Sequence, residues 1–118
     1  MNKKKSLESY GWTAEVSDRL KPLVEFIENN SVIEAEKKIA MFALEILKEI
    51  DDNKITPRRA DDYFTVLSLY IDDNLQNIEF SDDLTNLIFD GTILHDLGTP
   101  YGAEIPYMKS LIENILKK

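Results

Sequence analysis

The chain has no cysteine, a single histidine, a single tryptophan, and only four glycines and four prolines in 118 residues. Without cysteine there is no disulfide, no thiolate nucleophile and no Cys-ligated zinc or iron–sulfur centre. With His95 alone, neither the paired Glu-x-x-His motifs of a di-iron bundle nor a multi-histidine metal site is available. No apolar run approaches the roughly 18 residues of a membrane span. The basic start Met1-Asn2-Lys3-Lys4-Lys5 runs into Ser6-Leu7-Glu8-Ser9-Tyr10, which is no signal-peptide core. These absences lead to the expectation of a soluble, cytoplasmic protein with no membrane partner and no cofactor.

Positive charge is also scarce. Fourteen Lys and Arg against 22 Asp and Glu leave a net charge of −8. A field of that sign opposes nucleic acid and anionic lipid, so neither is expected as a partner.

What is present is helical punctuation. Val16, Leu20, Leu23, Val24 and Ile27 repeat at helical spacing and predict a first helix from Thr13 or Ser17 to Glu28, with Pro22 either a kink or its true first turn. Ser31 and Glu34 form a capping-box pair opening a second helix that runs to Ile50. Thr56-Pro57 opens a third, with Thr as N-cap and Pro where its missing N–H costs nothing. Ser81, followed by Asp82 and Asp83, opens a fourth that is expected to end at Leu97 before Gly98. Pro106 starts a fifth. Ser31, Thr56, Ser81 and Pro106 fall 25 residues apart each time, the beat of one helix plus one turn. The expected fold is all-α, five helices in a mostly up-and-down antiparallel bundle without a sheet. Residues 1–12 form a partly flexible lead segment, with Trp12 clamping the first helix, and residues 13–118 a single helical domain.

The width of each apolar stripe ranks the helices. The fifth spans roughly 140°, whereas the second and third each spread over roughly 200° or more. Such helices need neighbours on two sides. Either they sit at the centre of the bundle, or one face is a subunit interface, so a homodimer burying part of the second or third helix is expected.

Acidic clusters are the candidate chemistry. Ile-Asp-Asp-Asn occurs at residues 50–53 and again at 71–74. As EF-hand loops both copies fail: Ile55, Arg58 and Arg59 occupy ligand or apolar positions of the first, while in the second Asn77 stands in place of the glycine and Glu79 at the apolar position. Both read better as helix ends, where Asn tolerates the left-handed conformation. Asp72 and Asp73 have no basic neighbour in sequence, which makes them the remaining candidate metal pair.

Glu25-x-x-Glu28 followed by Glu49-x-x-Asp52 resembles the E-x-x-E … E-x-x-D pattern of all-α nucleoside triphosphate pyrophosphohydrolases. That resemblance implies magnesium-dependent phosphoanhydride cleavage. Here Val24 stands where the family doubles its first acid, and Glu49 lies roughly 27 Å along the second helix from the turn beside Glu28. The pairs therefore meet only across a dimer.

His95-Asp96 resembles the metal-binding pair of HD-type phosphohydrolases, without the further histidines those sites use. An imidazolium in the last turn of the fourth helix would instead complement its dipole. His95 and Asp96 adjoin Gly98-Thr99-Pro100-Tyr101-Gly102-Ala103-Glu104, a loop lacking Walker spacing. With Tyr101 and Tyr107 they form the candidate binding surface.

No catalytic residue set emerges. The sequence is read as a non-catalytic protein-interaction or regulatory module whose partner is a protein, possibly a second copy. The alternative is a magnesium-dependent nucleotide pyrophosphohydrolase using the acid pairs across a dimer. In size and charge the chain is also similar to immunity proteins that neutralise a basic toxin.

Overall fold

The computed structural model describes residues 6–10 and 13–118; the Trp12 clamp lies outside the described residues. Where local capping chemistry is strong, helices start as the sequence expects. Ser31 Oγ accepts from the Glu34 amide at 3.2 Å and opens α2 (Val32–Asp51). Thr56 Oγ1 accepts from the Arg59 amide at 3.1 Å and opens α3 (Pro57–Asn74). Ser81 Oγ accepts from the Leu84 amide at 3.3 Å and opens α4 (Asp82–Gly91). Each bond satisfies an amide that has no partner inside its own helix. Before them α1 (Ala14–Asn29) continues without a break past Pro22, an exposed position, and after them α5 (Ile105–Leu116) carries Pro106 in its first turn. All regular structure among the described residues is helical.

One expectation is corrected. The fourth helix does not reach Leu97; it stops at Gly91, and Leu94–Asp96 form a separate 3-10 turn. Gly91 is a poor helix residue at that end, and a tertiary contact holds the position to glycine. A Cβ at Gly91 would lie 2.1 Å from Cγ of the buried Phe64, so the helix passes the Phe64 ring only through a residue with no side chain. Thr92 then closes the end, its hydroxyl donating to the Phe89 carbonyl at 2.6 Å. Within the lead segment, Leu7–Tyr10 form a 3-10 turn packed on α1 and α3, with Leu7 buried.

Helix neighbours follow a ring: α1 against α2, α2 against α5, α5 against α4, α4 against α3, and α3 back against α1. α2 also touches α3 and α4, so it contacts every other helix. Its inward face buries Ala35, Ile39, Ala40, Ala43, Ile46 and Leu47, yet Met41 and Leu44 on the other side stay 57% and 42% exposed. The broad stripe of α2 thus divides into a core face and an outward face. No helix among the described residues is long and apolar enough to cross a membrane.

One buried charge organises this core. Glu36, only 5% exposed, accepts from the Ser81 amide at 2.8 Å and from the Ser81 hydroxyl at 2.7 Å, with Lys118 Nζ at 3.8 Å. It thereby ties α2 to the start of α4 and the end of the chain. A buried carboxylate is tolerated only with such partners, and removing it strands the donors. Glu36→Ala should cost about 2–3 kcal/mol in urea denaturation, whereas the exposed Glu79→Ala should stay within about 0.5 kcal/mol of wild type.

Candidate functional site

The structure brings His95 and Asp96 together and adds a third group from α3. His95 Nδ1 is hydrogen-bonded to Asp61 Oδ2, and Nε2 lies 3.3 Å from Asp96 Oδ2. Asp61 is held in turn by the Thr65 hydroxyl, which donates to Oδ1 at 2.8 Å. An imidazolium donates to both carboxylates; a neutral ring has one N–H and donates to one. His95 is thus a clasp between the α4–α5 connection and α3, and it sits in a 3-10 turn instead of the last turn of α4. Asp61, 34 residues away in sequence, gave no local signal.

The following loop folds back tightly. Gly98 takes φ +91°, the left-handed conformation expected there. A Cβ on Gly102 would lie 1.9 Å from the Asp96 carbonyl oxygen, a backbone approach open only to glycine. Thr99 Oγ1 donates to that same carbonyl at 2.8 Å. Tyr101 is 85% exposed and Tyr107 44% exposed. Among the described residues no hydrogen bond or ring contact joins either phenol to His95 or Asp96.

The acid pairs of the first two helices are engaged elsewhere. The Arg19 guanidinium forks onto both oxygens of Glu49, with Nη1–Oε1 at 2.9 Å, and holds the Glu49 carboxyl below its ordinary range. The same guanidinium lies 5.0 Å from the Tyr63 ring centroid and 5.7 Å from that of Phe42. Glu28 accepts from the Tyr70 hydroxyl at 2.6 Å, and burial followed by this carboxylate pushes the phenol upward. Arg19 and Glu28 are nine residues apart on α1, about 13 Å along the axis, so Glu49 and Glu28 do not converge within the chain. Among the described residues no group of three or more acids or histidines is placed to hold a metal ion.

Asp72 and Asp73 are likewise separated. Consecutive helical residues point about 100° apart. Asp73 accepts from the Tyr10 hydroxyl at 2.9 Å, and burial together with Asp73 pushes that phenol up to about 12. Asp72 instead faces a cleft between α3 and α4. The cleft has a volume of about 290 Å³ and is walled by Ile71, Phe80, Leu84, Ile88 and Phe89. Phe89, at 61% exposed, stands on its lip.

No family model, curated protein or solved structure matches this chain. Its chemistry rests on the geometry alone. That geometry offers tied carboxylates, a clasped imidazole, and large apolar side chains left outside the core.

The Arg19–Glu49 pair makes a pH prediction. A carboxyl lowered in the fold contributes stability fully above its unfolded value of about 4.3 and loses it as pH falls through the lower folded value. Arg19→Met should therefore cost about 2–3 kcal/mol near neutral pH, and its urea midpoint should approach that of wild type on acidification below about pH 4. Asp90 behaves oppositely. Partial burial, then the nearby Glu104, raises its carboxyl, so the charged form is disfavoured in the folded state. That penalty is present above the raised folded value and vanishes below the unfolded value of about 3.9. Asp90→Asn should accordingly raise the melting temperature at neutral pH and confer no gain below about pH 4.

Proposed function

We propose that this chain is a non-catalytic protein-interaction module whose α3–α4 cleft receives an apolar side chain carried beside a cation on a basic protein partner. The observation that carries the reading is Phe89, a large aromatic more than half exposed at the mouth of a largely apolar cleft whose only charged lining residue, among the described residues, is Asp72. Aromatic anchors beside such clefts supply much of the binding energy of protein interfaces. At about 290 Å³ the cleft sits at the bottom of the roughly 300–1,000 Å³ range of small-molecule sites and suits one or two side chains. The net charge of −8 favours approach of a basic partner, and Asp72 provides the local contact once docked.

A display selection of short peptides against the folded chain tests this. Enriched sequences should place Phe, Leu or Ile beside Lys or Arg. Phe89→Asp and Asp72→Lys should each weaken their binding by about tenfold or more, with no change in melting temperature because both residues are exposed. Selection without a common pattern, or binding indifferent to both substitutions, would overturn the reading. So would turnover of nucleoside triphosphates in magnesium.

A further inference from the structure

The outward face of α2 carries more apolar surface than the fold uses. Ile33, Met41 and Leu44 are 57%, 57% and 42% exposed, and they alternate with Glu34, Lys37, Glu45 and Lys48. At 100° per residue all seven fall within an arc of roughly 120°, and from Ile33 to Lys48 the stripe is roughly 22 Å long. Inside the chain these charges have little to do. Glu45 approaches Arg19 only to 3.9 Å with two thirds of its side chain exposed, and among the described residues Lys37 and Lys48 have no ion-pair partner.

We propose that this stripe is a two-fold interface, in which a second copy of the chain lays its own α2 antiparallel across it with Met41 on the axis. The occupant is chosen by charge. In a two-fold antiparallel pair, each residue faces the one equally far on the other side of the axis. Glu34, seven residues before Met41, then faces Lys48 of the second copy, seven after; Lys37, four before, faces Glu45 of the second copy, four after. Every charge on the stripe meets its opposite, twice over by symmetry. Other registers lose this. Moving the axis one and a half residues toward the C-terminus sets Lys37 against Lys48, and the same move toward the N-terminus sets Glu34 against Glu45.

The centre of this register is apolar. Met41 meets its own equivalent, and a flexible thioether packs well against itself. Leu44 of the second copy comes opposite Lys38, at the edge of a shallow groove of about 470 Å³ between α1 and α2 that Pro22, Leu23 and Phe42 floor. One helix pair is a small interface, below about 1,200 Å² in total, so the association is reversible and weak. The stripe shares no residue with the α3–α4 cleft, and the inference does not rest on that cleft's role.

Sedimentation of the full chain from low micromolar to millimolar concentration tests it. Wild type should show a reversible monomer–dimer equilibrium, and Met41→Lys should be monomeric with an unchanged melting temperature. Glu34→Lys and Lys48→Glu should each weaken the dimer roughly tenfold, and the double variant should restore it. Because the chain has no cysteine, Met41→Cys gives an independent reading: mild oxidation should link two copies, whereas Ile33→Cys should not link them. Monomer at every concentration overturns the proposal, as does a dimer insensitive to Met41→Lys. A dimer that the double swap fails to rescue overturns the antiparallel register. Peptide binding at the cleft should be untouched by Met41→Lys, which keeps the two readings separable.

Discussion

Three helices meet on the guanidinium of Arg19. It reaches from α1 to both oxygens of Glu49 on α2 and lies against the rings of Phe42 on α2 and Tyr63 on α3. Only arginine does this, because its planar fork engages a carboxylate in two bonds while its face stacks on aromatics. Phe42 in turn packs edge-on to Tyr63 and Phe64, with centroids 6.2 and 6.0 Å apart. These contacts fix the rotation of α2 about its own axis near its C-terminal end. Glu36, turned inward to Ser81, fixes it at the other. With both ends pinned, Met41 and Leu44 have nowhere to point but out. The exposed stripe is thus a consequence of the core's polar ties.

The same economy explains the fate of the acids. Read along the sequence, Glu28, Glu49 and Asp73 look like free carboxylates in candidate clusters, and Asp61 gives no signal at all. In the fold each is a fastener: to Tyr70, Arg19, His95 and Tyr10 respectively. Each tie joins segments far apart in sequence, and three of the four end on α3. The two Ile-Asp-Asp-Asn stretches show how context decides between identical residues. In the first, Asn53 takes φ +59° and the Lys54 amide bonds back to the Glu49 carbonyl at 2.8 Å, closing α2 in the left-handed manner expected. In the second, the helix runs on through Asn74, whose side chain donates to the Tyr70 carbonyl at 3.2 Å, and Leu75 follows into the core. Identical residues thus end two helices in different ways.

That contrast marks the boundary of what was legible. Helix class and the starts at Ser31, Thr56 and Ser81 were readable because capping is local, with donor and acceptor three residues apart. The end of α4 was not, since nothing near Gly91 in sequence announces the Phe64 ring that requires a glycine there. Glu36 was missed for a similar reason: a glutamate early in a helix ordinarily faces water, and its burial follows only from Ser81 arriving above it. Of the candidate surface, the nearness of His95 to Asp96 was visible, but Asp61 was not. The excess width of the α2 stripe was legible as an unbalanced apolar surface. Which side of it faced outward depended on Arg19 and Glu36.

The two exposed apolar surfaces differ in their charge, and on the readings proposed above that difference assigns their partners. The α3–α4 cleft presents Asp72 alone, so it selects by sign: any apolar anchor beside a cation satisfies it. The α2 stripe presents both signs in an order that is complementary only to itself reversed. A mixed pattern of this kind rejects wrong registers and wrong partners through like-charge contacts, which is specificity by exclusion as much as by attraction. A basic partner suited to the cleft gains little on the stripe, where Lys37 and Lys48 repel it. The two surfaces share no residue, so on these readings one small domain can hold both partners at once.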